Sequence, residues 1–94
     1  MSNCRLTLTL PLVCAGKLEG NSLTQTTTNT DCVTAQAGAA IYRNTLIANG
    51  TGYGVNAASG ISIPVAGNVM FTGLGSNVTN TVTTPYNVID SHVQ

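Results

Sequence analysis

Three cysteines, one histidine and six charged side chains are all that this 94-residue sequence offers to reactive chemistry. Cys4, Cys14 and Cys32 are odd in number and lack C-x-x-C spacing. If residues 4 to 14 stay extended at about 3.3 Å per residue, the first two lie roughly 33 Å apart. A disulfide needs Cα atoms within about 7 Å, so these two pair only if the chain reverses at Pro11. Cys14 with Cys32 is the easier pair. The simpler reading is three reduced thiols used as small hydrophobes. Asp90 and His92, two apart, project to one side of a strand and invite a general base or a metal pair. His92 is the sole histidine and lies within five residues of the last residue. The expectation there is a tail or subunit contact.

The glycines around Tyr53 and Leu74 match neither GxGxxG nor GxxxxGK, so they read as turn residues rather than a phosphate cradle. Asn49-Gly50-Thr51 and Asn77-Val78-Thr79 match glycosylation sequons, a chance outcome in a chain with ten Asn and fifteen Thr. With so few ionisable groups, the sequence points away from an enzyme. No cofactor, metal or small-molecule substrate is expected.

Hydroxyl rows remain. In Thr24-Gln25-Thr26-Thr27-Thr28-Asn29-Thr30, threonine falls at every second position, yet neither alternate face is apolar. A shorter row follows at Thr79, Thr81 and Thr83. Ice-binding surfaces present regular ranks of threonine coil after coil, and no period joins these two rows. The first is read instead as an exposed edge or long hairpin, covered by a neighbouring subunit. Thr24, Thr26, Thr28 and Thr30 are the candidate contact residues.

The elements that must position these residues are short. Cys4 to Leu10 places Cys4, Leu6, Leu8 and Leu10 on one face and Arg5, Thr7 and Thr9 on the other, a half-buried strand ended by Pro11. Lys17 to Asn21 reads as a turn. Residues 34 to 48 fit a short helix ending at Asn49-Gly50 and a pair of strands equally well. Gly50 to Gly60 reads as loop. Ile61, Ile63 and Val65 alternate in a strand whose Pro64 suggests an edge or bulge. Ala66-Gly67-Asn68 reads as a hairpin turn, with Val69 to Leu74 returning. Val78 to Thr83 alternates again.

Short strands with turn signals every 8 to 12 residues or so predict a mainly β fold, a small antiparallel sandwich or barrel, with one short helix allowed around residues 34–48. No fixed-period repeat stands out, which argues against a solenoid. The expected organisation is one β-rich domain over residues 1–85 and a C-terminal strand or arm over 86–94. Tyr86, Val88, Ile89 and Val93 are the arm's candidate docking residues.

Charged residues make up 6% of the chain, about a quarter of the usual share. Three basic residues balanced by three acidic ones leave no footprint for nucleic acid. No apolar run approaches the ~18 residues of a membrane span. Arg5 to Gly16 has the outline of a secretory signal, but two threonines and a proline interrupt its apolar part. It reads as structure, and Met1 as a start without export processing.

A neutral, hydroxyl-rich surface suits a subunit covered by neighbours. The overall character is similar to that of small structural subunits of phage particles, such as capsid cement or decoration proteins. The expectation is a structural protein of the virion, made in the host cytoplasm, whose partners are copies of itself and a larger shell or coat protein. An exported pilin-like or adhesin subunit on an extracellular surface, binding a host surface or a carbohydrate, is the alternative.

Overall fold

The computed structural model describes residues 1–57 and 62–71 in full, and the backbone alone of 82–83, 88–89 and 92–93. Among the described residues, thirteen short strands are distributed over three sheets. The first sheet holds β1 (Arg5–Leu8), β4 (Ser22–Gln25), β7 (Thr45–Ile47), β10 (Val69–Phe71), β12 (Val88–Ile89) and β13 (His92–Val93), in that order. The second runs from β3 (Lys17–Glu19) through β6 (Ala40–Tyr42) and β9 (Ile63–Ala66) to β11 (Val82–Thr83). The third stacks β2 (Leu12–Cys14), β5 (Val33–Ala35) and β8 (Val55–Ala57).

Every pairing between the described strands is parallel except that of β12 with β13. The chain therefore winds as a three-sided parallel β-solenoid, the first three coils each giving one strand to each sheet. This overturns the expected antiparallel sandwich or barrel. The misreading has a physical source. Alternation of apolar and polar residues usually marks antiparallel strands with one wet face, because parallel sheets are commonly covered on both sides. A solenoid breaks that association: its sheets are parallel, yet only the inner face is covered. Among the described residues there is no helix, and residues 34–48 hold the end of β5 and all of β6 and β7.

The inward residues stack in columns. Leu6, Leu23, Leu46 and Met70 align through the first sheet. Leu18, Ile41 and Val65 align through the second. Leu12, Val33 and Val55, with Cys14, Ala35 and Ala57, align through the third. Neighbouring strands are about 4.8 Å apart, so each column is a continuous apolar stripe. Lys17 to Asn21 is thus no simple turn: Leu18 points into the core between outward Lys17 and Glu19. Ala66-Gly67-Asn68 is no hairpin either, because β9 and β10 lie in different sheets and the segment turns a corner between them. Pro64 lies in β9, an interior strand between β6 and β11, rather than at a sheet edge.

The corner between the second and first sheets is the most regular part of the fold. Asn21, Asn44 and Asn68 occupy it in successive coils and are buried. The backbone N–H of Asn21 donates to Asn44 Oδ1, and that of Asn44 to Asn68 Oδ1, each at 2.9 Å. Side-chain amides continue the ladder: Asn21 Nδ2 donates to Asn44 Oδ1 and Asn44 Nδ2 to Asn68 Oδ1, each at 3.0 Å. Asn44 Nδ2 also reaches Leu18 O, and Asn68 Nδ2 reaches Ile41 O. Cys4 takes the corresponding place in the first coil, where its N–H donates to Asn21 Oδ1.

The residue before each asparagine, Gly20, Arg43 or Gly67, has positive φ. Glycine meets that demand without steric cost. Arg43 meets it at φ 53° while its guanidinium pairs with Glu19 on the outside. Ladder members are 23 and 24 residues apart. The repeat therefore exists, but only as Asn-Ser-Leu, Asn-Thr-Leu and Asn-Val-Met. Unequal arcs between the strands hide it elsewhere.

Candidate assembly surface

The threonine segment does not form a row. Thr24 points outward from β4, between Thr7 of β1 and Ile47 of β7. Gln25, next along, turns inward and is buried. Its amide donates to Asp31 O at 2.9 Å and its carbonyl oxygen accepts from Thr27 N at 3.0 Å. The segment accordingly begins as an interior strand with a buried polar anchor, which contradicts the expectation of an edge or hairpin.

Thr26 to Thr30 then form an arc between the first and third sheets, bonded to both neighbouring coils. Thr26 donates to Leu8 O from its N–H and from its hydroxyl, each at 2.8 Å. Thr27 Oγ1 donates to Thr9 O at 2.7 Å, and Thr30 Oγ1 to Thr28 O at 3.0 Å. Asn29, at φ 55°, accepts on Oδ1 from Thr51 N in the next coil. Of the four candidate threonines, Thr28 makes its bond through its carbonyl alone, while Thr26 and Thr30 also use their hydroxyls for bonds within the chain.

Of the tail candidates, Val88 and Ile89 lie in β12 and Val93 in β13. Val88 pairs in register with Val69 and with Val93. Tyr86 lies outside the described residues, as do Asp90, Thr79 and Thr81. The backbone of 88–89 thus continues the first sheet of this same chain.

All three cysteines are free. Cys32 is fully buried, with Sγ 3.6 Å from Leu23 O. Burial, with a smaller contribution from nearby Asp31 and against the effect of the Ile47 backbone, pushes its thiol up to about 12. A thiol held that far from ionisation is a poor nucleophile at neutral pH. Among the described residues, no group of three or more His, Cys, Asp or Glu side chains is placed to hold a metal ion.

The surface that sequence reasoning missed is the open end of the solenoid. On the first coil, β1 is the terminal strand of its sheet and β2 is terminal in its own. Only β3 is covered, by Met1–Asn3, which runs beside it with Asn3 N donating to Glu19 O and Glu19 N to Met1 O. The carbonyls of Cys4 and Leu8 accept from Ser22 N and Thr26 N. Peptide groups alternate in direction along a strand, so those of Arg5 and Thr7 face away from β4 into the open edge.

Apolar surface gathers at the same place. Of the four exposed large hydrophobic residues among those described, Leu10 (75%), Val13 (60%) and Met1 (47%) belong to this end. Leu6, Leu8 and Leu12 are only partly buried, whereas their counterparts Leu23 and Val33 in the second coil are fully enclosed. A depression of about 250 Å³ opens beside Met1, between Leu12, Cys14, Lys17 and Leu18. The signal in the sequence was the run Leu6, Leu8, Leu10, Leu12 with Cys4, not asparagine, two places before its first leucine. That absence marks the first coil as different from the others.

No protein-family model matches the chain, and comparison with curated proteins and with solved structures returns no match.

Proposed function

We propose that this chain is a non-enzymatic structural subunit of a phage or virus particle, of the capsid cement or decoration kind. It joins copies of itself and a larger coat protein through strand edges. The observation that carries the reading is the first coil: two open strands, with Leu10 and Val13 exposed beside them. Solenoids need ends that resist stacking, because an uncovered end leaves both an apolar cross-section and a row of main-chain donors and acceptors. Here that end carries apolar side chains. Strand addition gains affinity from main-chain hydrogen bonds, and apolar contacts add to it. The low charge of the chain leaves little to oppose close packing against neighbours.

The test is where the chain resides. Immunogold labelling of thin sections of the producing cells and of their purified particles should place it on the particles. Labelling confined to the cell interior, with bare particles, would overturn the reading.

A second reading, an exported adhesin-type subunit, is favoured by the outer face of the first sheet. Thr7 and Thr24 align there with Ile47 and Phe71, and Phe71 is 44% exposed. A flat face with hydroxyls beside an aromatic ring suits a sugar. Label on the outer cell surface, lost from a Phe71→Ser variant's binding to a glycan array, would favour that alternative.

A further inference from the structure

We propose that the open end is the contact between two copies of this chain, with their β1 strands paired antiparallel about a two-fold axis through Leu6. The proposal deepens the structural reading above and rests on it. A two-fold contact uses one surface twice, so the surface must complement itself. The β1 edge does. In an antiparallel pair, residues directly opposite share a face of the sheet. Registers that set leucine against leucine are therefore the only ones that carry the core across the junction.

Three registers do so. Those centred on Thr7 and on Leu8 need Thr9 opposite Arg5 or Thr7, but Thr9 lies beyond β1 and its carbonyl already accepts from Thr27 Oγ1. The third centres on Leu6 and sets Arg5 opposite Thr7 twice. It uses the outward N–H and C=O of both residues in both copies, four main-chain hydrogen bonds in all. It also leaves the Leu6 pair as the close, non-bonded kind on the inner face.

Rotation about that axis reverses the strand direction, so the β1–β2 corner of one copy lies over the Met1–Asn3 side of the other. Leu10, the most exposed large apolar residue described, then faces the partner's Met1 and the depression beside it. The area is adequate. The molecule is about 25 Å by 22 Å across two of its axes. An end face of that size covers on the order of 500 Å² per copy, near the ~1,000 Å² total at which specific interfaces begin. The electrostatic cost is small and readable. The two Arg5 residues stand diagonally, about 7–8 Å apart, within the ~8–10 Å Debye length of 0.1–0.15 M salt. Added salt should tighten this contact, whereas a partner held by charge attraction would loosen.

The experiment uses the whole chain. Light scattering should give twice the 9.6 kDa chain mass, with dissociation suppressed by salt. In a Cys4→Ser background, an oxidised mixture of Arg5→Cys and Thr7→Cys chains should cross-link to each other, and neither variant should cross-link alone. Thr7→Pro removes an N–H that faces the partner and not β4, and should yield a monomer with an unchanged circular dichroism spectrum. If Thr7→Pro fails to fold, the cross-linking pattern decides. A monomer at high micromolar concentration, open-ended stacks, or cross-linking of Arg5→Cys with itself would overturn the proposal. A solution monomer that still labels particles removes the self-pairing and leaves the structural role. A cross-linked dimer missing from particles does the reverse.

Discussion

Two turns of this solenoid bear opposite responsibilities. The corner at Gly20-Asn21, Arg43-Asn44 and Gly67-Asn68 repeats in the three coils after the first: one residue at positive φ, then one buried asparagine. The arc on the far side of the first sheet varies. It takes Thr9 to Pro11 in the first coil, Thr26 to Cys32 in the second and Ala48 to Gly54 in the third. The asparagine corner has no slack because each Oδ1 accepts from a backbone N–H of its neighbour, which locks strands at one register. The arc is tied to its neighbours at separate points, Thr26 N to Leu8 O, Thr51 N to Asn29 Oδ1 and Tyr53 N to Asp31 Oδ1, and the exposed residues between those points have slack. Regularity in one turn is what permits irregularity in the other.

The largest test of that contrast is insertion. One glycine between Arg43 and Asn44 should break the ladder and shift every inward residue of β7 outward, since a one-residue slip reverses the faces of a strand. Loss of the cooperative thermal transition is expected. The same glycine between Thr27 and Thr28 should fold, with a melting temperature only a few degrees lower. Equal damage from the two insertions would refute the contrast.

Next is Asn44→Ala. It removes an acceptor for Asn21 N and donors to Leu18 O and Asn68 Oδ1 in a buried site. Unsatisfied buried groups cost about 1–3 kcal/mol each, so a loss on the order of 3 kcal/mol is expected in urea titration. Gly52→Ala probes the arc. Its Cβ would overlap the Thr30 backbone of the neighbouring coil, so the two coils must part there, and a loss comparable to that at Asn44 is expected.

Cys32 follows the arc and reports how tightly the core closes behind it. Its thiol ionises near 9 when unfolded and at about 12 in the folded chain. The neutral thiol therefore contributes stability that is fully present below about pH 9 and is lost as pH rises toward 12. Thermal unfolding across that window should show a steeper decline for the native chain than for Cys32→Ala. The smallest effect should come from Thr28→Lys, at an exposed position whose hydroxyl makes no bond, with a change within about 0.5 kcal/mol. A large loss there would show that the arc is not slack.

Legibility followed the same division. The strand at Arg5 to Leu8 could be read because its alternation is purely local. The threonine segment misled because Gln25, a polar residue, is an inward position satisfied by Asp31 O and Thr27 N, bonds that alternation alone does not announce. The solenoid was missed because its repeat survives only at asparagine and the apolar residue two places on. Arcs of unequal length removed every longer period. The open end was half legible: the leucines were plain, but which of them stayed exposed depended on β1 being terminal in its sheet.

What the sequence determined by itself was that the chain is built of short β-strands with one apolar face and carries almost no charge. Both follow from side-chain type and a period of two. Strand direction, the partner of each strand and the burial of Asn21, Asn44 and Asn68 were decided by tertiary structure alone. An alternating strand exposes the same inner face whether its neighbour runs parallel or antiparallel. Only the stacking of successive coils, where one asparagine's oxygen meets the next coil's N–H, distinguishes the two.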